Sequence, residues 1–298
     1  MTYIKHLVIA GGAHLGFSYF GALKTLSQNN FFHMNKIESV YSTSVGAVLT
    51  TFLTLDMNWT SLEDYLINLH WKRIFPTNIR NSLMAIPKGG LFDVSTIEKI
   101  FEPVLLDRNL TLDITLDEFY QYNKKELHFI TTLYEPLILK DISYKTHPQW
   151  RLIDAIYASC CLPVLFVPYT CNQNETYIDG AMYSNYPINQ CIDNGGNKDE
   201  ILGVCFQHHQ IQETVHKNSS LRLIYFVLDL IMKLWRIVKE ENGKDPEIIP
   251  NEVKIVGDTR IYEGFQVLSS ISKRRELIDR GMKAGQSFLD SKDYFQRI

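Results

Sequence analysis

The sequence predicts a three-layer α/β/α fold built on a mainly parallel central sheet. Three observations predict it. The first fifty residues alternate short apolar runs with helically spaced ones, a βαβα order that needs crossover helices packed on a sheet. The first two apolar runs each end in a cluster of small residues, where a strand would turn into a helix. The chain has 298 residues and 45% hydrophobic content, enough to cover both faces of such a sheet.

The elements follow in order. His6–Ala10 is an apolar run that stops at Gly11-Gly12, as a buried strand would. Phe17–Gln28 has Phe20, Leu23 and Leu26 at helical spacing. Ile37–Ser42 reads as the second strand and Val45–Leu55 as the second helix. Ser61–Leu69 puts Leu62, Leu66 and Leu69 on one helical face. After a loop at Asn78–Gly90, Val94–Leu106 is a helix with Asp93 or Ser95 as its N-cap. Leu127–Leu133 and Pro136–Ile142 read as adjacent strands, and Leu152–Ser159 as a short amphipathic helix. Ile201–Phe206 is another buried strand and Ser272–Phe288 a closing helix. The loops Asn172–Glu175, Asn194–Asp199 and Glu241–Asn251 do not read as linkers, and there is no repeat. One domain is expected over residues 1–298, with the helical part from about 219 packed on it.

Charge and cysteine content narrow the function classes. Lys plus Arg number 30 against 33 Asp plus Glu, a net charge of -3, which argues against a nucleic-acid binder. The five cysteines, Cys160, Cys161, Cys171, Cys191 and Cys205, are odd in number and include neighbours. Reduced thiols inside a cell fit them better than a secreted disulfide scaffold. The first apolar run is too short for a signal-peptide core. The longest apolar stretch, Leu221–Val238, is broken by Arg222, Asp229, Lys233 and Arg236, so a membrane span is not expected. A cytoplasmic protein is the expectation, with at most peripheral membrane contact.

Two strand-to-helix junctions carry chemistry. Gly11-Gly12-Ala13-His14-Leu15-Gly16 fails the dinucleotide fingerprint at Ala13 and fails the P-loop because Phe17 follows Gly16. A tight turn and an anion-binding loop remain, the second because bare backbone N–H groups stand before a helix N-terminus. Ser42-Thr43-Ser44-Val45-Gly46 approximates a nucleophile elbow, which needs small residues two places either side of the serine. Ser44 reads either as that nucleophile or as an N-cap of the second helix. As nucleophile it needs a base. Asp179, followed by Gly180-Ala181, is one candidate, and His208-His209 after a buried strand is the rival. Cys205 and His208 lack the second ligand pair of a metal site.

Taken together these pieces resemble the patatin-like phospholipase family, lipid acyl hydrolases with a Ser–Asp dyad. The resemblance runs from about Ile4 to about Leu289. It is carried by the Gly11–Gly16 loop with Gly21 and Leu23, by Ser44, and by Gly90-Leu91-Phe92-Asp93. Ala158-Ser159-Cys160-Cys161-Leu162-Pro163 through Phe166 and Pro168, then Asp179-Gly180-Ala181 with Asn185 and Pro187, complete it in order. Ala13 and Leu15 stand where the family usually has a third glycine and a basic residue, and Ser42 replaces the first elbow glycine.

The resemblance implies a patatin-like fold and a dyad of Ser44 and Asp179 that cleaves fatty-acyl esters of lipids or phospholipids through an acyl-enzyme. Gly11, Gly12, Ala13 and Val45 would supply the oxyanion hole. Gly16, Gly46, Gly180 and Asn185 would support the site, Asn185 by bracing the Asp179 loop. Neither a metal nor another cofactor is expected. The partners would be the lipid ester, a membrane surface and an activator protein of unknown identity, with no nucleic acid. The alternative is a patatin-like protein with little or no catalysis that binds lipid or protein through the same pocket.

Three further segments bear on lipid access. In Leu221–Glu240 the residues Arg222, Asp229, Lys233, Arg236 and Glu240 form one narrow stripe, which suits a mostly buried helix, an acyl-pocket wall, a lid or a helix resting on a membrane surface. Trp59–Ile86 is a second lid candidate. Lys273-Arg274-Arg275 reads as a solvated basic face that could also meet anionic lipid.

Overall fold

The computed structural model describes residues 3–76, 87–208, 226–227, 230–231, 233 and 245–296. In chain order its elements are β1 (His6–Ile9), α1 (Gly16–Gln28), β2 (Ser39–Thr43), α2 (Val45–Thr54), α3 (Trp59–Asn68), α4 (Trp71–Ile74) and β3 (Gly90–Phe92). Next come α5 (Ser95–Leu106), α6 (Leu116–Asn123), β4 (Glu126–Leu133), β5 (Ile138–Ile142), α7 (Leu152–Cys160), β6 (Val164–Phe166), β7 (Tyr169–Thr170) and β8 (Thr176–Asp179). The chain closes with α8 (Ile188–Asp193), β9 (Ile201–His208), β10 (Glu252–Gly257), α9 (Ile261–Leu268) and α10 (Ile271–Gln296).

The main sheet runs β10-β9-β1-β2-β4-β8-β7, with β5 also paired to β4. The five strands from β10 to β4 are parallel, and β5, β8 and β7 are antiparallel additions. Alternation along β1 divides the core between the faces. Leu7 and Ile9 belong to the large cluster shared with α1, α2, α5 and α7, whereas Val8 joins a smaller one with Ile188, Cys191, Ile201 and Ile249. Both faces are therefore covered, and the architecture is the expected α/β/α sandwich. Parallel strands leave their carboxyl ends on one side, which is where β1 and β2 release the glycine loop and Ser44.

The final helix packs tightly on the first. A Cβ on Gly21 would lie 2.1 Å from the Ile278 carbonyl oxygen, and one on Gly281 would lie 1.8 Å from that of Ser18. Arg274 corrects the reading of its basic cluster as a solvated face. It is only 4% exposed, and its guanidinium donates to the carbonyls of Ile67, Val267 and Leu268 at 2.8–3.0 Å. The Ile67 and Leu268 carbonyls, at the ends of α3 and α9, would otherwise be orphaned, and the arginine satisfies them.

Several elements escaped sequence reasoning. The two-residue and three-residue strands β3, β6 and β7 are too short to show a period. The edge strand β10 alternates buried Val253 and Ile255 with exposed Lys254 and Val256, next to a segment read as loop. Neither Asp93 nor Ser95 is the N-cap of α5; that place is Val94, while the Asp93 carboxylate accepts the Ser95 N–H at 3.2 Å. In α3 and α4, Leu62, Leu66, Ile67, Trp71 and Ile74 are core, so that part of Trp59–Ile86 is no lid; residues 77–86 lie outside the described residues. Most of Leu221–Glu240 also lies outside them. Among the described residues no helix is long and apolar enough to cross a membrane.

Candidate active site

One edge of β4 brings the two key residues together. Phe129 and Ile130 pair with β2 and with β5, so those strands lie on opposite edges. Thr131–Leu133 pair with β5 and β8, so β8 shares the β2 edge. Thr43, the last residue of β2, pairs with Ile130, and Asp179, the last of β8, pairs with Thr131. The chain turns off the sheet at Ser44, and β8 arrives from the opposite direction to fill the vacated edge.

Ser44 sits on a sharp turn with φ 55° and ψ -125°. A positive φ in a residue with a Cβ is strained, at a cost of about 1–3 kcal/mol. The surroundings hold it there. Its N–H donates to Ser159 Oγ at 2.9 Å, Ser159 Oγ donates to the Ile130 carbonyl at 2.7 Å, and its own carbonyl accepts the Ala47 N–H at 2.8 Å. The turn leaves no room for side chains behind it: a Cβ on Gly46 would lie 2.5 Å from the Ile9 carbonyl oxygen. Ser42 fits because it is small and buried, with its hydroxyl 3.3 Å from that of Thr50 and 3.4 Å from the His128 carbonyl. Ser44 occupies the N-cap position of α2, yet its side chain caps no N–H there. Its hydroxyl is instead near enough to the Asp179 carboxylate to pull that group's pKa down.

Asp179 is 2% exposed. Its N–H donates to the Cys161 carbonyl at 2.9 Å, its carbonyl accepts the Thr132 hydroxyl at 3.1 Å, and Oδ1 accepts the Ala181 N–H at 2.7 Å. Burial pushes its pKa up to about 6, against the pull of the Ala181 N–H and the Ser44 hydroxyl. Gly180 has no space for a side chain, since a Cβ would lie 2.1 Å from the Ile130 carbonyl oxygen.

The glycine loop is fixed at one end and open at the other. Gly11 donates its N–H to the Asn185 carbonyl at 2.9 Å, and its carbonyl accepts Tyr19 OH at 3.0 Å and Asn185 Nδ2 at 3.3 Å. Asn185 thus ties the segment after Asp179 to the glycine loop. The N–H groups of Gly12, Ala13 and Val45 have no partner among the described residues. Gly16 lies against Val45, where a Cβ would approach Cγ2 to 2.5 Å. Ala13 has φ 48°, the conformation that favours glycine and explains why glycine is usual there. Leu15 is fully buried, and a Cβ on Gly257 would meet its Cδ2 at 2.7 Å. Apolar packing, not a cation, backs the loop.

The sequence shows Ser159 only as part of a segment and does not reveal its bond to the Ser44 amide. A small hydroxyl residue just before Cys160-Cys161-Leu162-Pro163 was the available signal. Tyr19 and Thr131 were missed altogether; Thr131 Oγ1 lies 2.9 Å from both the Ala158 and Ile178 carbonyls, which joins α7 to β8. His208 ends β9, two strands away from β2, and His209 lies outside the described residues. Beyond the loop, Phe17 meets Trp71, and Phe75 packs edge-on against Phe92 and Phe166, with ring centroids 5.1–6.3 Å apart. These rings form an apolar wall that begins one residue after Gly16.

Comparison with known proteins places the chain in a family. The family model described as patatin-like phospholipase matches residues 7–192. The probable lipid hydrolase 463L of Invertebrate iridescent virus 6 is 27% identical over 286 residues, covering 91% of this chain and 90% of that protein. The uncharacterized protein R571 of Acanthamoeba polyphaga mimivirus is 23% identical over 206 residues, covering 69% of this chain and 66% of that one. Among solved structures, VipD from Legionella pneumophila superposes with a TM-score of 0.56 at 17% identity, over 97% of this chain and 67% of that one, a likeness of fold. With a family model spanning both strand-to-helix loops and Asp179, the chain belongs to the patatin-like phospholipase family.

Proposed function

We propose that this lipid acyl hydrolase cleaves fatty-acyl esters through a Ser44–Asp179 dyad and an acyl-enzyme. Asp179 takes the proton of Ser44 as Oγ attacks the acyl carbonyl carbon. The oxyanion that forms is held by the N–H groups of Gly12, Ala13 and Val45, each such donor being worth about 3–4 kcal/mol. Gly11, expected as a further donor, has committed its N–H to Asn185 and serves to hold the loop. Collapse of the intermediate expels an alcohol or lysolipid, which takes the proton from Asp179. Water, deprotonated by the same carboxylate, then attacks the acyl-serine; as the fatty acid leaves, Ser44 Oγ takes the proton back from Asp179 and both groups are restored. The observation that carries this reading is the strand pairing that puts Ser44, next after Thr43, beside the buried Asp179 carboxylate, whose pKa burial raises to about 6. Such a group is ionised at neutral pH yet more basic than an exposed aspartate.

A fluorophosphonate probe and a soluble short-chain ester test the proposal. Ser44→Ala should lose both labelling and hydrolysis. Asp179→Asn should lose roughly 10²–10⁴-fold in hydrolysis with the circular dichroism spectrum unchanged. Full activity in Asp179→Asn, or loss in His208→Ala or His209→Ala, would sink the dyad. Failure of the wild type to label or turn over, with or without lipid vesicles, would favour a lipid-binding protein without catalysis.

A further inference from the structure

The β4–β5 hairpin carries an exposed apolar tip at the active-site end of the sheet. Tyr134 is 59% exposed, Leu137 50% and Ile138 40%, and Glu135 and Pro136 between them are exposed as well. Four of five consecutive residues are thus apolar and turned to solvent, a pattern that folding does not require. The tip grows from the strand that holds the site. Asp179 pairs with Thr131, and Tyr134 donates its N–H to the Thr176 carbonyl at 2.8 Å. At about 3.3 Å per residue the tip begins roughly 10 Å beyond Asp179 along the strand. Tyr183, four residues past Asp179, is also exposed, at 48%.

We infer that this hairpin tip inserts into the headgroup and upper acyl region of a lipid bilayer and brings the Ser44 site to its ester substrate. The inference rests on the proposed lipid-ester activity for its substrate and on the hairpin for its surface. A narrow two-stranded tip with aliphatic side chains and one tyrosine suits an interface that is apolar below and wet above. The charge distribution points the same way. The net charge is -3, and Glu135 is the single charged residue between Tyr134 and Ile138. Attachment therefore depends on apolar insertion, so neutral vesicles should suffice and salt should matter little.

The experiment uses the full chain, vesicles of pure phosphatidylcholine and a flotation assay. Wild type should float with the vesicles at both low and high salt. The double variant Leu137→Glu/Ile138→Glu should bind at least tenfold more weakly while hydrolysing a soluble short-chain ester within twofold of wild type. All five native cysteines are buried, so Leu137→Cys can carry a selective environment-sensitive fluorophore, whose emission should shift to the blue on vesicle addition. Unchanged flotation of the double variant, no flotation of wild type, or binding confined to anionic vesicles at low salt would overturn the inference. So would a wild-type dimer in solution that the double variant dissolves, since the tip would then be a contact between copies. Flotation without any ester hydrolysis would retain the docking surface and remove the dyad; hydrolysis without flotation would do the reverse.

Discussion

Thr43 and Asp179 occupy successive places on the same edge of β4, opposite Ile130 and Thr131. This adjacency places the Ser44 hydroxyl against a carboxylate that comes from 135 residues further along the chain. Two strands meeting head to head on a shared edge bring the two residues of the proposed dyad together, and their backbone pairing leaves neither free to drift. Four predictions follow from that frame and from the groups that hold it.

Asp179 must be ionised to accept a proton, so kcat/KM should rise with pH through an apparent pKa near 6 and level off above it. The same burial has a cost for folding. The unfolded chain ionises this group near 3.8 and the folded one near 6, so above pH 6 the native state carries a penalty of about 3 kcal/mol. That penalty shrinks as pH falls from 6 toward 4, because the folded state then binds the proton first. Asp179→Asn should therefore be inactive yet melt several degrees higher than wild type at pH 8, with the gap closing near pH 4. Equal melting temperatures at pH 8 would show that the carboxylate is not destabilising.

Ser159 bridges the Ser44 N–H and the Ile130 carbonyl. Ser159→Ala leaves a buried donor and a buried acceptor without partners, which costs about 1–3 kcal/mol for each. The elbow should relax, so kcat should fall at least tenfold with KM little changed, and the melting temperature should drop. Ser159→Thr keeps the hydroxyl and should recover part of kcat. A Ser159→Ala enzyme with wild-type kcat would remove Ser159 from the positioning of Ser44.

Much of this was legible in the sequence, and for physical reasons. The βαβα start showed because strand and helix have different periods and each junction is marked by small residues. Ser44, Asp179 and the bare loop Gly12-Ala13 could be named because a strained turn and a close backbone approach tolerate few residue types. Other parts were not legible. The fate of the Gly11 N–H depends on Asn185, 174 residues away, and no local pattern encodes that bond. Arg274 looked like any charge in Lys273-Arg274-Arg275, because its burial is decided by where α3 and α9 end. The hairpin tip showed only as a turn, since exposure is a property of the fold.

Ala13 departs from the usual glycine at a position with φ 48°. An L-residue there costs about 1–2 kcal/mol of local strain, but glycine adds about 0.4–1 kcal/mol of unfolded-state entropy to be lost. The two nearly cancel, so Ala13→Gly should leave the melting temperature within a few degrees and ester hydrolysis within threefold. Ala13→Val, β-branched at a positive φ, should distort the loop, and its loss should appear chiefly in kcat if, as proposed, the Gly12 and Ala13 N–H groups bind the transition state. A fully active Ala13→Val enzyme would place the oxyanion donors elsewhere.

Arg274 gives the last test, and it separates stability from lipid attraction. Its guanidinium holds carbonyls of α3 and α9 from a buried position, with Ile67 receiving two of the bonds. Arg274→Met keeps most of the volume and removes every donor, which leaves the carbonyls of Ile67 and Leu268 unsatisfied, while Val267 keeps the Ser270 N–H. The expected loss is about 3–5 kcal/mol, seen as a lower denaturation midpoint with an unchanged m value. Arg274→Lys should recover little, because a point-like ammonium cannot span carbonyls from two helices. Its exposed neighbours provide the control: Lys273→Ala and Arg275→Ala should each change stability by less than about 0.5 kcal/mol. If Arg274→Met folds as stably as wild type but loses affinity for anionic vesicles, then Arg274 is a surface contact and the packing of α10 against α3 needs revision.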